Sequence, residues 1–175
     1  MKIQTTRKAN YEHNCACEFS DRMINGQGMG DISKLKYGFF CMSYNGCEVI
    51  SVYNALRYIG KPQPLQEIAF YLEKYRVLFG LFGCNVYRIG KALKKFGAEY
   101  ERISEVGDTP AFIISFWTGK RFRSSLHTVF CIRENGRIKI YNRYNNCDTV
   151  RYADSPEKLL SGRRTVVIYA IKNQK

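Results

Sequence analysis

The sequence predicts an α+β fold in which a buried helix from the N-terminal half packs on an antiparallel sheet. Three observations predict it. Of the 175 residues, 45% are hydrophobic and 25% charged, with 11 Phe and 13 Tyr, enough for one core that buries about two thirds of the unfolded surface. Helical periodicity stops at Gly97 and strand patterns begin at Glu99, the segregated order of α+β folds. Asn135-Gly136 between two of those strand patterns marks an antiparallel hairpin. The composition excludes collagen-like, low-complexity and wholly disordered chains.

Element by element, residues 1–34 read as an N-terminal extension, a flexible lead-in carrying HNCAC at 13–17 and INGQGMGD at 24–31, and the domain proper runs over 35–175. Over 48–59, Glu48, Ser51, Asn54 and Arg57 form a narrow polar line among Val49, Ile50, Val52, Tyr53, Leu56 and Ile59, the pattern of a central buried helix. Gly60 stops it, and Pro62 and Pro64 keep the chain from continuing. A second helix is expected over about 64–75. A third opens at the N-cap Asn85, shows Val86, Ile89, Leu93 and Phe96 on one face, and carries Lys94 and Lys95 in its last turn. Strands are expected at 99–103, 111–117, 126–134, 137–142 and 164–172.

The Asn-Gly turn also predicts a register. A two-residue type I′ turn puts Glu134 opposite Arg137, so partner numbers sum to 271. His127 then faces Tyr144, and Val129 faces Asn142. His127 and Asn142 become diagonal neighbours on one face, with Asn145 on the other. An Asn carbonyl in that place accepts the imidazole N–H, sets its tautomer and leaves the second nitrogen as a base. Cys47 stands at the first turn of the buried helix after Asn45-Gly46, where the helix dipole favours a thiolate; Glu48 beside it acts in the opposite sense.

These residues resemble a known family. NGCEVISVYNALRYIGKPQPLQEIAFYLEK at 45–74 is similar to the nucleophile region of the C39-like peptidases of the papain-like superfamily, FGCNVYRIGKALKKFG at 82–97 to the helix that follows it, and LHTVFCIRENGRIKIYN at 126–142 to its histidine hairpin. The likeness spans about 37–148 and implies a papain-like fold and a cysteine peptidase. Cys47 would be the nucleophile, His127 the general base and then acid, and Asn142 the orienting group. Arg143 and Tyr144 follow Asn142 where relatives often carry Asp-Pro. Position 41, where such enzymes commonly place an oxyanion-binding Gln, is Cys, and no Gln lies between Gln27 and Cys47. The Cys47 N–H and the Asn45 side chain are left as oxyanion donors.

Seven cysteines without a repeating spacing argue for reduced thiols. Against 28 Lys and Arg stand 15 Asp and Glu, a formal charge of +13, which favours an acidic partner. Lys120, Arg121 and Arg123, just before His127, are expected to border the cleft and draw acidic peptides. No cofactor or metal is expected: His13, Cys15 and Cys17 lack a second ligand pair, and Gly26, Gly28 and Gly30 lack the strand and GK[ST] of a phosphate loop. No run approaches the ~20 apolar residues of a membrane span, and the first residues lack the apolar core of a signal peptide, so a cytoplasmic protein is expected. Two functions follow: a cysteine peptidase acting on peptide or protein substrates, acidic ones preferred, or a weak or inactive papain-like module that binds an acidic peptide or nucleic acid. No nucleic-acid motif supports the last.

Overall fold

A computed structural model describes residues 3–18, 22–119 and 125–172. It is a mixed α+β structure. Among the described residues the α-helices are α1 (Ile3–Cys15), α2 (Met42–Asn45), α3 (Cys47–Tyr58), α4 (Leu65–Leu72), α5 (Ile89–Lys95) and α6 (Pro156–Leu160). A two-residue pair, β1 (Lys36–Tyr37) and β2 (Phe40–Cys41), precedes α2. The main sheet is built from β3 (Tyr100–Ile103), β4 (Ala111–Thr118), β5 (Ser125–Glu134), β6 (Arg137–Tyr141), β7 (Arg151–Ala153) and β8 (Thr165–Ile171). Its order is β3-β8-β4-β5-β6-β7, antiparallel throughout.

Alternation along the strands divides the core in two. Ala111, Ile113 and Phe130 pack with α3, α4 and α5 on one face, while Phe112, Ile114, Phe116, Val129 and Cys131 pack with Leu159 of α6 on the other. Every residue of α3 from Cys47 to Leu56 is buried, its polar line included. Asn54 on that line pins the N-terminal segment by accepting the Ile24 N–H at 2.9 Å and donating to the Ile24 carbonyl at 3.0 Å, which satisfies a buried amide. Gly60 ends the helix with φ +72°, as its sequence position requires. At the third helix Asn85 caps through its side chain, accepting from the Tyr87 N–H.

The Asn135-Gly136 turn has positive φ at both residues, and β5 pairs β6 with Glu134 opposite Arg137 through Phe130 opposite Tyr141, the expected register. None of the seven cysteines forms a disulfide. No helix among the described residues is long and apolar enough to cross a membrane.

The lead-in read over 1–34 is not loose where it is described. Helix α1 docks against α4: Arg7 donates to the Phe70 carbonyl, Tyr11 to the Glu67 carboxylate, and Asn10 to Gly38 O and Glu73 Oε1. Asn14 exchanges two hydrogen bonds with the backbone of Lys36. Tyr11 and Arg7 also pack on the Phe70 ring, and because polar and amphipathic side chains make these contacts, a reading based on apolar periodicity does not register them.

Candidate functional site

The N-terminal end of α3 brings together the elements that carry the expected site. Gly46 precedes it where any side chain would overlap Met42. Cys47 is 6% exposed. Burial pushes its thiol well above the ordinary value and the Glu48 charge adds to this; hydrogen bonds from the backbone and hydroxyl of Thr128 only partly offset them. The expected thiolate is therefore not the ground state. A helix end contributes about 0.3–1 kcal/mol, a fraction of a pH unit, whereas full desolvation is worth up to 3–5 units. Glu48 is itself buried, which raises its carboxyl to about 7 against hydrogen bonds from its own N–H, the Cys47 thiol and the Cys84 N–H.

Thr128, not His127, meets the thiol. Phe116 pairs with His127 and Ser115 with Thr128 across β4 and β5, so alternation sends Thr128 toward α3 and His127 to the opposite face. There the imidazole lies edge-on to Phe116, with ring centroids 6.0 Å apart. Among the described residues no hydrogen bond links Cys47 and His127. Burial lowers the His127 pKa and the charges of Arg143 and Arg163 lower it further, while backbone hydrogen bonds to Asn142 and Arg143 oppose them.

Asn142 reaches His127, but through its backbone. The ladder of β6 ends at Tyr141, and Asn142 takes φ +59°, so the pairings expected for His127 with Tyr144 and Val129 with Asn142 do not form. His127 Nε2 lies 2.8 Å from the Asn142 carbonyl oxygen. A carbonyl only accepts, so the neutral ring carries its proton on Nε2 and Nδ1 remains the basic nitrogen. The fully buried Asn142 side chain turns instead to Gln27, accepting from its backbone N–H at 3.0 Å and donating to Oε1 at 2.8 Å. Gln27 Nε2 donates onward to the carbonyls of Met42 and Ser43, and Asn25 Oδ1 accepts the Asn142 N–H. The stretch read as a flexible glycine-rich loop is thus a clasp from the hairpin to α2. Gln27 was visible only as the last Gln before Cys47.

Asn45, expected as an oxyanion donor, is buried with Nδ2 donating to the carbonyls of Tyr37 and Gly80. Both of its amide hydrogens are occupied, so it presents no donor to a substrate. Lys120, Arg121 and Arg123 lie outside the described residues. His13 directs Nε2 to the Lys34 carbonyl, and among the described residues no group of three or more His, Cys, Asp and Glu could hold a metal ion.

A feature with neither helical nor strand period adjoins Asn45. Residues 77–83 form a loop closed by a bridge between Arg76 and Cys84 and tied by backbone hydrogen bonds from Val77, Gly80, Leu81 and Gly83. Gly80 takes the Asn45 amide, and a Cβ on Gly83 would stand 2.9 Å from the Glu48 carboxylate. The side chains point outward. Leu78, Phe79, Leu81 and Phe82, with Phe39 and Tyr44, are each 40–62% exposed, and Phe39 packs on Phe79 at 5.8 Å. Leu78 and Phe79 have φ of +44° and +60°, a conformation that costs about 1–2 kcal/mol for a residue with a side chain. The sequence signal for this tip was the run VLFGLF between two helical patterns.

No protein-family model matches the chain, and no curated protein matches its sequence. The functional reading therefore rests on the geometry.

Proposed function

We propose that the chain is a papain-like module that binds an acidic peptide at the N-terminal end of α3 without cutting it. The observation that carries the reading is the apolar tip. Six large apolar side chains stand in solvent on a backbone whose polar groups are tied down, and two of them hold strained conformations; exposed apolar surface and local strain concentrate at binding sites. The excess of basic residues supplies the preference for an acidic partner. Against catalysis stand a buried, neutral thiol beside a carboxylate and an imidazole directed to the other face of β5. The test is fluorescence anisotropy with labelled peptides that carry Leu or Phe among acidic residues. Saturable binding that weakens in Leu78→Ser/Phe82→Ser and in high salt is expected. Binding indifferent to both changes refutes the reading.

A second reading is favoured by one observation. The Asn142 carbonyl sets the imidazole tautomer as a general base requires, and Cys47 occupies a first helical turn. In this reading the chain is a thiol peptidase with Cys47 as nucleophile, His127 as base and Asn142 as orienting group, and β5 must turn His127 toward the thiol before reaction. Iodoacetamide separates the two. Fast, selective alkylation of Cys47 that is lost in His127→Ala favours the peptidase; slow alkylation independent of His127 favours the binding module.

A further inference from the structure

The face of the sheet opposite α3 carries a second concentration of charge. A cavity of about 400 Å³ opens beside α6, lined by Arg143, Tyr144, Arg151 and Lys158 above the apolar Ile140 and Leu159. Lys158 is tied to Asp154 at 2.8 Å. Arg143, Arg151 and the neighbouring Arg163 have no carboxylate within ion-pair distance among the described residues. Arg143 and Arg163 are half-buried, and proteins ordinarily pair a charge withdrawn from water. Here Arg143 meets a like charge instead: burial lowers its pKa and Arg163 lowers it further. Aromatic rings hold the guanidinium groups in place. Arg143 lies 5.1 Å from the Phe116 centroid and 5.9 Å from that of Tyr144, and Arg151 lies 5.5 Å from Tyr144. Their hydrogen-bond partners are a hydroxyl and a sulfur, Tyr144 for Arg143 and Cys147 Sγ at 3.6 Å for Arg151, which an oxyanion can displace from the stacked guanidinium.

We infer that this cavity binds a phosphate monoester of mononucleotide size, with Arg143 and Arg151 on the phosphoryl group and the ring of the ligand against the exposed rings of Tyr144 and Tyr152. Clustered cations suit a dianion better than a single carboxylate. The volume falls within the 300–1,000 Å³ range of small-molecule pockets, far more than a bare phosphate fills, and the tyrosine rings suit a planar ligand group. The site is independent of the tip.

Isothermal titration of the full chain with AMP, inorganic phosphate, adenosine and a series of single-stranded oligonucleotides tests the inference. AMP is expected to bind saturably, with phosphate and adenosine each weaker by at least about tenfold, since each keeps only part of the contacts. Arg143→Gln, Arg151→Gln and the charge-retaining Arg143→Lys should each weaken AMP by about tenfold, as loss of a bidentate fork predicts. Lys94→Gln, at the exposed end of α5, and Leu78→Ser/Phe82→Ser should not. Urea denaturation establishes that each variant is folded. AMP affinity unchanged in the arginine variants, an equal loss in Lys94→Gln, or adenosine binding as tightly as AMP overturns the inference. Oligonucleotide affinity that rises with length and exceeds that of AMP also overturns it, in favour of an extended nucleic-acid surface.

Discussion

Replacing Asn142 with alanine should unfasten the clasp between the hairpin and the N-terminal segment, and the loss can be estimated from the structure. Two hydrogen bonds to Gln27 disappear, leaving its N–H and Oε1 buried without those partners; each such group costs about 1–3 kcal/mol. Alanine at φ +59° adds about 1 kcal/mol. Asn142→Ala should therefore lower unfolding stability by about 3–7 kcal/mol, a large part of the 5–15 kcal/mol typical of a domain. Asn142→Gly removes the same bonds without the backbone penalty and should be about 1 kcal/mol milder. Gln27→Ala combined with Asn142→Ala should cost less than the sum of the singles by about 1–3 kcal/mol, because the pair shares its bonds. Urea unfolding followed by far-UV circular dichroism measures all four. A loss below about 1 kcal/mol for Asn142→Ala, or strict additivity in the cycle, would falsify the assignment of the clasp.

Three further outcomes are expected. Phe79→Gly should stabilise the fold by about 1 kcal/mol because it relieves the positive φ, and should weaken peptide binding; a destabilised variant that still binds contradicts both the strain and the role of the tip. Glu48 is raised from 4.5 to about 7, so between those values the unfolded chain has lost a proton that the folded chain retains. Stability should fall as pH rises through that window, by about 3 kcal/mol at most. Glu48→Gln should flatten this slope, whereas His127, whose pKa is lowered, should make stability rise with pH toward its unfolded value of about 6.5; unchanged slopes in Glu48→Gln and His127→Gln would refute these linkages. Glu48→Gln should also lower the Cys47 thiol pKa by removing the carboxylate charge, read from the pH dependence of iodoacetamide alkylation, and a rise or no change would remove Glu48 as a cause.

Local rules made much of this fold legible. The near-continuous apolar circumference of 48–59 marked α3 as buried, Asn85 marked the start of the helical turns that lead into α5, and Asn135-Gly136 set a register that holds for five residue pairs. Each signal acts within a turn of helix or across one hairpin, where side-chain period and turn chemistry decide the outcome. Docking of α1 was not legible, because Arg7, Asn10, Tyr11 and Asn14 attach it by polar contacts to α4, β1 and the segment between them.

The candidate site divides at the same boundary. Cys47 at the start of a buried helix and His127 near Asn142 could be read along the chain; their relation in space could not. Asn142 leaves the ladder because Asn25 and Gln27, more than a hundred residues away in sequence, take its N–H and side chain, and its carbonyl rather than its amide then meets the imidazole. Pairing with β4 sends His127 to the face of Phe116 and gives Thr128 to the thiol. The charge state of Cys47 follows from burial under strands that the local sequence does not name. A helix dipole is local and worth a fraction of a pH unit, whereas desolvation depends on everything packed around the group and is worth several, so the assembled core decides what the thiol is.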